Sequence, residues 1–141
     1  MEDERRAQPL EAPTCDVSAG LTFDTGALIA LERRRQRIAR VYTTAVADGV
    51  IVTVPAVVIT EWWRGNSDSR ARILRGVRVE PIDGELAKLA GEAIAAVSGV
   101  SPVDALVMAS AARRGDLVYT SDFDDLERLR SHFRSVRVLG V

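Results

Sequence analysis

Short apolar runs recur along the whole chain, each separated from the next by segments with helical spacing, and few folds accommodate that order. Leu21 to Asp24, Val50 to Thr53, Val77 to Ile82, Asp116 to Ser121 and Val136 to Leu139 read as strands. Helices are predicted from Thr25 to Arg33, from Gln36 to Asp48 (stopped by Gly49), and from Pro55 through Glu61 to Gly65. Others follow from Ser67 to Leu74, Gly84 to Val97, Ser101 to Gly115 and Asp124 to Phe133. Parallel neighbours need a crossover, usually a helix. Alternation throughout therefore predicts an α/β domain with a mostly parallel central sheet and helices on both faces. In such sheets ligands bind beyond the carboxyl ends of the strands.

A chain of 141 residues fits one such domain. Residues 1–20 are polar, hold Pro9, Pro13 and Gly20, and show no sustained period. They are expected to be a disordered N-terminal extension or a stretch upstream of the true start, with the folded domain over 21–141. No apolar run approaches the roughly 18 residues needed to span a bilayer, and the acidic start has no apolar region of a secretory signal. A lone Cys15 excludes an internal disulfide framework and fits a reducing compartment. A cytoplasmic protein is expected.

Four acids then stand out by position. Asp24 and Asp122 close apolar runs, Glu61 follows Val57-Val58-Ile59-Thr60 and precedes Trp62-Trp63, and Asp104 opens Val103-Asp104-Ala105-Leu106-Val107. Ionised carboxylates are seldom placed beside a core without a cationic partner. Three have a plain structural role available as helix caps: Asp24 before Thr25-Gly26, Asp104 answering Ser101, and Asp122 with Asp125 three residues on. For Glu61, set among apolar neighbours, the alternative is a salt bridge to Arg64. Carboxylates converging at one point would repel and raise one another's pKa values. Mg²⁺ or Mn²⁺ removes that penalty, because hard cations take carboxylate oxygens. A metal so held activates water and stabilises charge on a phosphoryl oxygen, which suits phosphodiester hydrolysis.

Net charge of −1 carries no global signal for nucleic acid, but its distribution does. All basic residues except Lys88 are arginine, and Arg33, Arg34, Arg35, Arg37 and Arg40 fall together. Arginine's planar fork matches phosphate oxygens, so this cluster is a candidate contact for a polyanion held beside an acidic site; the alternative is a solvated helical face. His132, the sole histidine, reads as a surface residue at a helix end. Adjacent Trp62 and Trp63 point two ways on a helix, so one can stack a base while the other belongs to the core or to a dimer interface.

The segments Phe23-Asp24-Thr25-Gly26-Ala27-Leu28-Ile29-Ala30 and Val54-Pro55-Ala56-Val57-Val58-Ile59-Thr60-Glu61 resemble those of PIN-domain ribonucleases. So do Ser101-Pro102-Val103-Asp104-Ala105 and Tyr119-Thr120-Ser121-Asp122-Phe123-Asp124-Asp125-Leu126. Within that family the chain is similar to VapC toxins of toxin–antitoxin pairs, over roughly Leu21 to Val141. The resemblance implies a catalytic site of Asp24, Glu61, Asp104 and Asp122, with Asp24, Asp104 and Asp122 on a Mg²⁺ or Mn²⁺ ion. It implies a further acid at Asp125, a supporting hydroxyl at Thr120, an RNA substrate, a homodimer and a cognate antitoxin. The competing reading is a non-catalytic partner-binding or regulatory α/β domain. A phospho-acceptor form of it would need a lysine after a late strand, whereas Lys88 falls in the Gly84 to Val97 helix.

Overall fold

In the computed structural model, residues 19–141 are described; Cys15 and the bulk of the expected extension lie outside them. Five strands form one parallel sheet: β1 (Leu21–Phe23), β2 (Val52–Pro55), β3 (Arg78–Glu80), β4 (Leu117–Thr120) and β5 (Arg137–Gly140), in the order β3-β2-β1-β4-β5. Between them run α1 (Thr25–Glu32), α2 (Gln36–Ala47), α3 (Ala56–Trp62), α4 (Asp68–Gly76), α5 (Gly84–Ala96), α6 (Pro102–Arg114) and α7 (Phe123–Leu129). No described helix is long and apolar enough to cross a membrane.

Successive strand side chains alternate between faces, and β1 shows what each face meets. The Phe23 ring packs against Tyr42 of α2 and against Tyr119, with centroids 6.4 and 5.9 Å apart. On the opposite face the Thr22 hydroxyl donates to Asp116 at 2.8 Å and accepts from Arg114 at the end of α6. Helices thus cover both faces, as the alternating pattern predicts. The core between these layers includes Phe23, Leu28, Ile38, Val54, Leu86 and Met108, all fully buried. Each such side chain contributes roughly 1.5–3 kcal/mol relative to exposure.

Helix ends follow local chemistry. Asp83 accepts from Leu86 N at 2.8 Å and Ser67 from Arg70 N at 3.1 Å, caps that each stabilise by about 1 kcal/mol. Gly49 and Gly115 follow α2 and α6 at φ 73° and 74°, the left-handed conformation that glycine adopts without penalty. The second strand is displaced from its predicted place. Val50 N returns to Ala45 O at 2.8 Å and Ile51 is half exposed, so both belong to the exit from α2. Pro55 ends β2, at φ −62° and ψ 144°, instead of opening the helix. Gly20 is buried and its N–H donates to Asp116 at 2.9 Å, which ties the start of the described chain to the sheet.

Candidate active site

The acids collect at the carboxyl ends of β1 and β4, from the starts of α1, α6 and α7 and from the last turn of α3. Asp24, Glu61, Asp104, Asp122 and Asp125 all line one cavity of about 410 Å³, together with Thr25, Gly26 and Ser101. Asp104, Asp122 and Asp125 are the tightest group, each offering a carboxylate oxygen within 4.8 Å of the others.

Asp24 directly follows β1 and is nearly buried. One oxygen accepts the Ala27 N–H at 2.8 Å, so the expected cap exists. The other accepts the Thr120 hydroxyl, and Thr120 Oγ1 in turn accepts the Asp122 N–H at 2.7 Å. Capping and site membership are therefore compatible at Asp24. With both oxygens engaged, it stands beside the tight trio and not in it. Burial pushes its carboxyl above the ordinary value, opposed by these hydrogen bonds.

Asp104 sits in the first turn of α6, where its backbone N–H donates to Ser101 Oγ at 3.0 Å. The cap here is the serine, and the carboxylate is left facing the cavity. Burial, followed by the charge of Asp122, raises its pKa to about 6. Asp122 precedes α7 but makes no side-chain cap, so the capping alternative fails there. Desolvation and then the neighbouring Asp125 raise its pKa as well.

Glu61 corrects one sequence-based expectation. It is exposed, and Trp62 beside it occupies the core position instead, with its indole N–H on Glu32 at 3.0 Å. Trp62 is thereby removed as a base-stacking candidate, while Trp63 is half-buried. Arg64 donates to the Glu61 backbone carbonyl at 3.3 Å, and its guanidinium forms no ion pair with the carboxylate. The carboxylate instead accepts the Thr25 hydroxyl at 2.5 Å and borders the cavity. Thr25 and Ser121 also line the cavity and were passed over by sequence reasoning; a hydroxyl within two residues of each strand end was the available signal.

The arginine cluster does not form one surface. All five members are exposed. Arg33 and Arg35 line a cleft adjoining the acidic cavity, Arg34 lines another with Glu32 and Arg72, and Arg40 lines a third beside Tyr119. His132 is exposed and packs edge-on against Phe133, as a surface residue should.

The raised carboxyls predict an inverted pH response of the metal-free protein. A carboxyl near 6 in the folded state and 3.8 unfolded binds protons more tightly when folded. Stability is therefore greatest when the group is protonated and falls as pH rises from about 4 through about 6. Allowing for solvent screening of a half-exposed group, the loss is about 1 kcal/mol. Glu80, held below its ordinary value by Ser110 and two arginines against its burial, acts in the opposite sense, but below pH 4.5. With chelator present, the melting temperature should be higher at pH 5 than at pH 7. A divalent cation should raise it at pH 7 and do less at pH 5. A higher metal-free melting temperature at pH 7 would count against the cluster.

Fold and site together define a class: a parallel α/β domain, covered on both faces, with a carboxylate-lined cavity at the carboxyl ends of its strands. The PIN domain family model matches residues 21–131, and the chain belongs to that family. Solved structures share the fold. The DNA-bound VapBC structure from Salmonella typhimurium aligns with TM-score 0.66 at 18% identity, covering 86% of this chain and 98% of the other. VapBC2 from Rickettsia felis, bound to a promoter DNA fragment, aligns with TM-score 0.71 at 9% identity over the same shares. FitAcB from Neisseria gonorrhoeae aligns with TM-score 0.56 at 19% identity, covering 84% and 96%. No curated protein matches the chain in sequence.

Proposed function

We propose that this chain is a Mg²⁺- or Mn²⁺-dependent endoribonuclease, the toxin of a toxin–antitoxin pair. The carrying observation is convergence: acids from four separate stretches of sequence line one cavity, with three carboxylates inside a 4.8 Å group. The donor set fits a hard divalent ion, being all oxygen and anionic, with carboxyls whose mutual repulsion a cation would relieve. Asp104, Asp122 and Asp125 would hold it, with Asp24 beside them. When bound, such an ion supplies Lewis-acid stabilisation of a phosphoryl oxygen and makes water more acidic.

The chain's own groups supply positioning. Thr120 holds Asp24 through its hydroxyl and receives the Asp122 N–H, so one small side chain sets the relation between β1 and β4 acids. Glu61, exposed and held by Thr25, is the carboxylate placed to orient attacking water or accept its proton. The likeness to VapBC and FitAcB, protein pairs by name, supports a protein partner for this chain too.

The test joins cell and tube. Expression without the neighbouring small gene product should arrest growth, its co-expression should relieve arrest, and sequenced RNA ends should show defined cuts. Purified protein should cut RNA with Mn²⁺ or Mg²⁺ and stop with chelator. Harmless expression of folded protein that leaves RNA intact under both conditions would sink the reading.

A further inference from the structure

The acidic cavity does not end at its carboxylates. Gly26, Ile29 and Ser121 line both it and a second cleft of about 360 Å³, whose remaining walls are Ala30, Arg33, Arg35 and Val141. The turn between α1 and α2 selects which arginines reach this cleft. The N–H groups of Arg34 and Arg35 donate to Leu31 O at 3.0 Å and Ala30 O at 2.9 Å, the paired bonds that close a helix around a left-handed residue. Arg34 is that residue, at φ 59°, and the sole non-glycine with positive φ among the described residues. It lines a different cleft from its two neighbours. Strained conformations of this kind cluster at binding sites, where surrounding structure over-determines them.

We infer that Arg33 and Arg35 form a phosphate subsite for single-stranded RNA, holding a backbone phosphate next to the one cut at the acidic cavity. The inference rests on the nuclease reading above. A cavity lined by five acids repels a polyanion, so a strand reaches it only with cationic groups alongside. Two guanidinium forks match phosphate oxygens. The other walls of the cleft include Ile29, Ala30 and Val141, aliphatic side chains that cannot hydrogen-bond base edges. Recognition here is of backbone, tolerant of sequence. An unpaired strand can bend to set adjacent phosphates into adjoining clefts.

The test uses the full chain carrying Asp104→Asn, so that RNA is bound and left uncut, and a fluorescein-labelled oligoribonucleotide of mixed sequence. Adding Arg33→Ala/Arg35→Ala should weaken binding about tenfold or more. It should also reduce the slope of log affinity against log salt by about 0.7, for one phosphate contact on a single strand. The charge-matched pair Arg134→Ala/Arg137→Ala, at the amino end of β5 and so across the sheet from the site, should change affinity less than about twofold. Equal losses in both pairs, no loss at Arg33/Arg35, or no RNA binding by the parent overturns the subsite. So does a loss confined to binding of a protein partner. Cutting by the unsubstituted chain is scored separately. RNA held through Arg33 and Arg35 but never cut overturns the nuclease reading alone, and normal cutting with arginine-independent binding overturns the subsite alone.

Discussion

Replacing Asp104 with asparagine should lower Mg²⁺- or Mn²⁺-dependent RNA cleavage by more than about 100-fold, beyond what losing a supporting contact around a metal costs. The same change should raise the melting temperature of the metal-free protein at pH 7. The two effects have one origin. The Asp104 backbone N–H is capped by Ser101 Oγ, a bond that asparagine keeps. What asparagine removes is a carboxylate raised to about 6 by burial and by the charges of Asp122, Asp24 and Asp125. A group whose purpose was structural would show the reverse: unchanged cleavage and equal or lower stability. Activity assays beside thermal melts, with and without chelator, decide between these outcomes. Undiminished cutting by a folded variant removes Asp104 from the site.

Gly26→Ala should be nearly as damaging to activity, by way of packing. A Cβ at Gly26 would stand 1.7 Å from Ser121 Oγ and 2.6 Å from Ser121 Cβ. The hydroxyl can rotate away, but the Cβ moves only with the backbone that carries Asp122 next along the chain. Overpacking of this kind costs about 1–3 kcal/mol, and a site shifted by an ångström loses up to about 100-fold in rate. Removing the obstacle should restore both. In the double variant Gly26→Ala/Ser121→Gly the nearest remaining Ser121 contact is its N at 3.3 Å. A double-mutant cycle in stability and cleavage rate should show coupling of about 1 kcal/mol or more. If Ser121→Gly leaves the Gly26→Ala defect untouched, the close approach of these two turns is not what demands glycine.

The strand-ending acids were legible because a parallel sheet puts its ligand site where its strands end. Asp24 and Asp122 needed only the apolar runs before them. Glu61 was legible as an acid bordering the cavity but not in its environment. On a helix, one residue turns the face by about 100°, and the core position went to Trp62. The pairings that hold the site, Thr25 with Glu61 and Thr120 with Asp24, join residues 36 and 96 positions apart, and no local period records them. The arginine run spans the break between two predicted helices, and the sequence does not record how the connecting turn aims its side chains. A left-handed Arg34 ends the first helix and sends neighbouring side chains to different clefts.

Strand order has a consequence in time as well as in space. β1 lies between β2 and β4, so the earliest described strand is completed on one side only by residues near 117–120. The Thr120–Asp24 contact closes a loop of 96 residues, and such long closures form late. A chain emerging from the ribosome therefore carries Asp24, Glu61 and Asp104 as unconnected acids until the fourth strand is inserted. The cluster is a check on completeness: a truncated or half-folded copy has the carboxylates without the cavity.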